Sequence, residues 1–221
     1  MWVKICANTN LEDTAMAAEL GADAVGFVFA PSKRQVTAAQ VAAITPHLPE
    51  SLERVGVFAT HDLEEIAQTA EIAGLSAVQL HGPFDLKFAA RLASRLPRFS
   101  IIQTIHWTIS SAESAEAVGR QLAELVYAAP SYRVLVDSKI GAASGGTGIS
   151  FDWSDARAVF ASQPEVRIIA AGGLTPDNVA AAIRKLNPWG VDVASGVESS
   201  PGSKDATRVA NFIANARGAH R

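Results

Sequence analysis

A single thiol, Cys6, closes the short apolar run Val3-Lys4-Ile5-Cys6 near the start of the chain. A free cysteine serves either as a small buried hydrophobe or as a base or nucleophile. The second role needs a thiolate, and an unassisted thiol titrates at about 8.5. Lys4 lies two residues back, on the same face if the run is a strand; the sequence does not place its ammonium. Asp137 ends a second apolar run, "RVLVD". A carboxylate there must find hydrogen bonds or take up a proton, so it is either a structural cap or a general acid with a raised pKa. Asp192, inside "GVDVA", meets the same constraint and reads as a positioning or structural residue. Arg34 offers a planar fork for a carboxylate or phosphate, or belongs with Lys33 to a solvated basic loop. His81 reads as a hydrogen-bonded loop histidine.

Glycines supply the other chemical signal. Gly172-Gly173 precedes Thr175-Pro176, a helix-opening pair, and Ser195-Gly196 follows a later apolar run. Backbone amides without a neighbouring Cβ can approach a phosphate closely, and a helix N-terminus favours the anion. The remaining histidines, His47, His61, His106 and His220, form no metal-ligand spacing, so no metal is expected. Neither a GxGxxG turn nor a Walker A loop is present, so no nucleotide cofactor is expected.

Short runs rich in β-branched and apolar residues must position these groups. They fall at residues 2–6, 23–29, 54–58, 76–80, 99–105, 133–137, 167–171 and 190–194. Helical stretches separate them. Asn10 caps one and Gly21 stops it; a second covers 62–73 before Gly74, a third 111–128, and a fourth opens at Thr175. Strictly alternating strand and helix imply parallel strands with right-handed crossovers. Eight such units predict one α/β domain over residues 1–221, a closed (β/α)8 or TIM barrel. In that fold the active site gathers at the C-terminal strand ends, with phosphate often held after the seventh and eighth strands. Reactive or glycine-bearing residues follow six of the eight runs. The 138–150 segment holds Gly141, Gly145, Gly146 and Gly148, a composition suited to a closing loop.

Composition narrows the partners. The 221 residues carry 19 basic and 22 acidic side chains, a net charge of −3, which argues against nucleic acid or an anionic membrane surface. No apolar run approaches the ~18 residues of a membrane span. One cysteine allows no internal disulfide, and no signal peptide is evident, so a cytoplasmic location is expected.

The motifs together resemble the phosphoribosylanthranilate isomerase family. The matching segments are "KIC" with "NT" at 4–9, "LGADAVGFVF" at 20–29, "VGVF" at 55–58 and "VQLHG" at 78–82. They continue with "GGTG" and "FDW" at 145–153, "AGGLTPDNV" at 171–179 and "GVDVASGVESSPGSKD" at 190–205. The resemblance spans the chain in order. It implies a cofactor-free, metal-free Amadori rearrangement of N-(5'-phosphoribosyl)anthranilate, by a monomer or homodimer acting on a small phosphorylated substrate. It assigns Cys6 as general base and Asp137 as general acid. Arg34 would meet the anthranilate carboxylate. His81 and Asp192 join the substrate-binding set, and the backbone at Gly172, Gly173, Ser195 and Gly196 would hold the phosphate.

Several positions depart from the family pattern. Ala7 replaces a glycine; a positive φ there would strain alanine by about 1 kcal/mol, and a negative φ would make it harmless. Ala194 replaces a serine near the phosphate. Pro83-Phe84 stands where an acidic residue is common, and Arg34 lacks the frequent aromatic after it. Two other readings remain open at this point: a dual-substrate isomerase of the histidine and tryptophan pathways, against which Cys6 argues, and a non-catalytic phosphosugar-binding barrel, which Ala7 and Ala194 support.

Overall fold

The computed structural model describes residues 1–108, 114–128, 132–140, 143–144 and 153–219. Eight strands run in the predicted order: β1 (Trp2–Ile5), β2 (Ala24–Val28), β3 (Glu53–Phe58), β4 (Ala77–Leu80), β5 (Ser100–Thr108), β6 (Arg133–Ile140), β7 (Arg167–Ala170) and β8 (Gly190–Val193). Each pairs in parallel with the next, and β8 returns to β1 in the register Lys4↔Asp192. The sheet therefore closes on itself, as the eight alternating units predict.

The helices α1 (Leu11–Glu19), α2 (Ala38–Ala42), α3 (Leu63–Ile72), α4 (Leu86–Arg95), α5 (Ser114–Ala128), α6 (Trp153–Ala161), α7 (Val179–Leu186) and α8 (Ala206–Ala219) follow the strands in turn. Their ends obey local chemistry. Asn10 accepts the N–H of Asp13, and Gly21 follows at φ +93°. Asp62 accepts from Glu64 and Glu65, ahead of a helix that stops before Gly74. The helix expected to open at Thr175 begins instead at Val179. Asn178 explains the delay: its side chain accepts the Thr175 N–H at 2.8 Å and donates to the Gly173 carbonyl at 2.9 Å, tying a turn where the first helical turn would be.

β5 and β6 extend three residues beyond the expected 105 and 137. The alternation "QTIHWT" carries on the β pattern, and the register runs unbroken from Ile102↔Arg133 to Thr108↔Lys139. The expected helix start at 111 and the glycines at 141 and 145–148 lie outside the described residues.

Side chains alternating into the lumen fill it in layers. Val55, Ile102, Leu135 and Ile169 belong to one buried cluster inside the ring, edged by Trp2 and Trp189. Those two indoles stack at 5.3 Å, and the Arg133 guanidinium lies 5.2 Å above one and 5.8 Å above the other. This aromatic layer plugs the N-terminal mouth. By the two-residue period of a strand, Trp2 facing the lumen puts Lys4 and Cys6 above it. The polar groups thus collect towards the C-terminal mouth.

Candidate active site

The C-terminal strand ends enclose a cavity of about 290 Å³, at the lower edge of the size range of small-ligand sites. Cys6, Arg34, His81, Asp137, Gly172, Gly173, Asp192, Ser195 and Gly196 all line it. The strands that carry them are spread around the whole ring.

On one wall, Lys4 is wholly buried. Its ammonium lies 3.0 Å from Asp192 Oδ1 and donates to Gln79 Oε1 at 2.7 Å, and its charge acts on Cys6, two residues on. Gly26 makes the room: a Cβ there would stand 2.6 Å from Cys6 Sγ and 3.1 Å from Lys4 Cε. Burial works against the Lys4 charge, but Asp192 and Cys6 outweigh it and leave its pKa above the ordinary value. Burial pushes the Cys6 thiol up; Lys4 opposes that, Asp192 adds to it, and Lys204 opposes it again. Ala7, next in sequence, has φ +63°, so the strained alternative raised by its substitution for glycine is the one found.

On the facing wall, burial first and the Asp192 charge second push the Asp137 carboxyl up to about 7, against the Ser138 backbone N–H and Lys4. His81 Nε2 stands 3.6 Å from Asp137 Oδ2. Its Nδ1 lies 3.3 Å from Gln79 Nε2 and 3.4 Å from Thr104 Oγ1. Burial, then His106 and Lys4, hold the His81 imidazole down to about 3, so it is neutral. The ring of His106 packs edge-on to it at 5.0 Å, and His106 Nε2 lies 3.2 Å from the His81 carbonyl. No sequence spacing pairs these histidines; adjacency of β4 and β5 does. Each of His81, His106 and Asp137 offers one potential ligand atom, all within 4.8 Å of one another.

Between these walls, the turns after β7 and β8 meet. Gly172 and Gly173 have φ +83° and +64°, which side chains disfavour. A Cβ on Gly172 would strike Ser138 Oγ at 2.2 Å, and one on Gly196 would strike the Leu174 carbonyl at 2.0 Å. The two turns therefore pack backbone against backbone beside the cavity.

Arg34 is less free than its sequence implies. Its Nε and Nη2 grip the Glu198 carboxylate at 2.7–3.0 Å. Glu198 also takes Lys204 Nζ at 3.2 Å, and that ammonium donates to the Cys6 carbonyl at 2.6 Å and the Ala194 carbonyl at 3.3 Å. Burial tends to raise the Glu198 pKa, but Arg34 and Lys204 outweigh it and hold the carboxyl below its ordinary value. Glu198, Lys204 and Gln79 were not singled out in the sequence. An acid and a lysine inside the turn "VESSPGSK" were the available signal, and only the antiparallel pairing Glu198↔Lys204 turns them inward.

A closed parallel barrel with an acid, a thiol and a glycine-lined turn pair around one cavity at its C-terminal mouth is the architecture of a (β/α)8-barrel enzyme. Comparison with known proteins narrows this further. Residues 3–215 match the model of the N-(5'-phosphoribosyl)anthranilate isomerase family. The N-(5'-phosphoribosyl)anthranilate isomerase of Pelobacter propionicus is 43% identical over 215 residues, covering 96% of this chain and 93% of the relative. The crystal structure of phosphoribosyl anthranilate isomerase from Thermotoga maritima superposes with a TM-score of 0.84 at 38% identity, covering 99% of both chains. A structure of the isomerase in complex with reduced 1-(o-carboxyphenylamino)-1-deoxyribulose 5-phosphate gives 0.80 at 36%, again over 99% of both. The chain belongs to the N-(5'-phosphoribosyl)anthranilate isomerase family. Among the described residues, no helix is long and apolar enough to cross a membrane.

Proposed function

We propose that this chain converts N-(5'-phosphoribosyl)anthranilate to 1-(2-carboxyphenylamino)-1-deoxyribulose 5-phosphate, an aldose-to-ketose isomerisation, with Asp137 as acid and Cys6 as base. The observation that carries the assignment is the different environment of the two groups in one cavity. Asp137 is buried, faces the Asp192 charge and holds its proton to about 7. Cys6 feels the charges of Lys4 and Lys204, and Lys204 donates to its own carbonyl.

The steps balance without an external reagent. Asp137 protonates the furanose ring oxygen, the C1'–O bond breaks, and the nitrogen lone pair forms an iminium. The Cys6 thiolate removes the C2' proton, and those electrons give the enolamine. Proton return to C1' and loss of the C2' hydroxyl proton give the ketone. β1 and β6 are not neighbours in the ring, so acid and base address the sugar from different sides.

The phosphate sits on the backbone of Gly172, Gly173, Ser195 and Gly196. Arg34 turns its remaining Nη1 to the anthranilate carboxylate, with its direction set by Glu198. Asp192 neutralises Lys4 and keeps the ammonium beside the thiol.

A turnover assay tests the reading. Freshly generated phosphoribosylanthranilate loses its fluorescence when consumed. Rapid loss with the parent and none with folded Cys6→Ala or Asp137→Asn is expected. Full activity in both variants would sink the mechanism; a folded parent that binds substrate tightly without turnover would favour the binding-only barrel.

A further inference from the structure

Gln79 occupies a lumen-facing position on β4, 2% exposed, and lines the cavity. Its two ends face different partners. Lys4 Nζ lies 2.7 Å from Oε1, while Nε2 lies 3.3 Å from His81 Nδ1 and 3.5 Å from Thr104 Oγ1. An ammonium only donates, so the amide oxygen belongs on the Lys4 side and the NH2 on the His81 side. An NH2 only donates as well, so His81 Nδ1 accepts and the ring proton resides on Nε2. That nitrogen points at Asp137 Oδ2, 3.6 Å away. At 3.6 Å this approach is longer than a hydrogen bond; catalytic contacts of this kind are often long in the free enzyme and tighten in the substrate complex.

We infer that Gln79 is a positioning residue for the acid: held by Lys4, it fixes the His81 tautomer so that an N–H, not a lone pair, faces Asp137. The consequence is chemical. An N–H facing Oδ2 leaves that oxygen an acceptor and places the acid proton on Oδ1, available for transfer. A lone pair on Nε2 would instead accept the Asp137 proton in a hydrogen bond and compete with the ring oxygen of the sugar. The neutrality of His81 in its buried site agrees with this arrangement. The same arrangement explains why the His81–His106–Asp137 cluster is poorly prepared for a metal, which would need the Nε2 lone pair. One ammonium thereby serves both walls of the site, acting on the base through its charge and on the acid through an amide and an imidazole. The inference deepens the acid assignment of Asp137 and rests on that reading.

Gln79→Glu is the direct test. It keeps the side chain's size, pairs one oxygen with Lys4 and presents the other as an acceptor, which reverses the tautomer. Nitrogen-15 NMR of imidazole-labelled protein reports which nitrogen of His81 carries hydrogen, without reference to activity. The parent is expected to show Nε2–H, and Gln79→Glu to show Nδ1–H. The variant's kcat should fall about 10–100-fold, part of the roughly 10²–10⁴ that a positioned acid contributes, with KM changing less than kcat. A parent with Nδ1–H overturns the inference. So does a variant that keeps Nε2–H, or one that switches tautomer with kcat within about twofold of the parent. If Gln79→Glu fails to fold, Gln79→Met, similar in bulk and without donor or charge, replaces it. Mixed tautomers with reduced kcat would support the inference, and an unchanged Nε2–H with full kcat would overturn it. A parent without turnover would sink the enzyme reading and leave the tautomer measurement standing.

Discussion

Asp137→Asn should make this protein more stable while abolishing its reaction, and the gain should depend on pH in a calculable way. The Asp137 carboxyl titrates at about 7 in the fold against an ordinary 3.8. Between those values the folded chain binds the proton and the unfolded chain does not, so folding stability falls as pH rises. At about 1.4 kcal/mol per pH unit, the penalty reaches roughly 1.6 kcal/mol at pH 5 and about 4 kcal/mol at pH 8, where both states are ionised. Asparagine removes the charge and nearly preserves the shape. Changes in packing and hydrogen bonding are shared between the two pH values, so the informative quantity is the difference. The variant should gain about 2.5 kcal/mol more over the parent at pH 8 than at pH 5. Urea denaturation of both proteins at the two pH values measures it directly. A gain equal at both pH values to within about 0.5 kcal/mol would refute a raised Asp137 pKa, and with it the view that burial holds the acid protonated.

Three further outcomes follow from the same geometry. Ala7→Gly relieves about 1–2 kcal/mol of left-handed backbone strain, less about 0.4–1 kcal/mol of glycine entropy. A gain of roughly 0.5–1 kcal/mol is expected, seen as a Tm higher by about 1–4 °C; a lower Tm would show that methyl packing prevails. The reacting form needs Asp137 protonated and Cys6 ionised, although Asp137 is the stronger acid. The kcat/KM profile should therefore rise to about pH 7 as thiolate accumulates, stay level, and fall above the raised Cys6 value. Iodoacetamide should alkylate the single cysteine ever faster above about pH 8.5, and a rate that levels near 7 would exchange the two assignments. Gly196→Ala places a Cβ 2.0 Å from the Leu174 carbonyl. The two turns must part, and calorimetry with inorganic phosphate should show at least about tenfold weaker binding, some 1.4 kcal/mol; unchanged affinity would remove these turns from the phosphate site.

The parts legible in sequence were those encoded locally. Apolar runs of strand length, ended by Cys6, Asp137 and the glycine pairs, announce where strand ends lie, and in a parallel barrel strand ends are where the site must be. Ala7 was legible as a question, and only its backbone angle answered it. What stayed hidden depends on contacts across the ring. Lys4 reaches Gln79 across 75 residues, Arg34 reaches Glu198 across 164, and Lys204 reaches the Cys6 carbonyl across 198. Nothing local distinguishes Glu198 from an exposed acid of a polar turn. His106 came into the site because β5 continues past its expected end and sets it opposite Asp137.

These long contacts also decide which group holds a proton. Among the described residues in and behind the cavity wall stand three cations, Lys4, Lys204 and Arg34, and three carboxyls, Asp137, Asp192 and Glu198. Asp192 takes Lys4, and Glu198 takes both Arg34 and Lys204. Asp137 is left facing a neutral imidazole and repelled by Asp192, so a proton is the least costly way to neutralise it. Glu198 cannot cancel two cations, and the surplus positive charge lies at Lys204, on the backbone of Cys6. Burial still disfavours the thiolate, but Lys4 and Lys204 both oppose it at Cys6, whereas at Asp137 Lys4 comes last among the influences. The proposed division into acid and base therefore rests first on the burial of Asp137 and then on how the ion pairs are shared, since the ordinary pKa values of a carboxyl and a thiol would assign the roles the other way round. Moving a cation should therefore move the roles. A lysine brought beside Asp137 would ionise it at neutral pH and abolish the reaction while leaving Cys6, Lys4 and the phosphate turns in place.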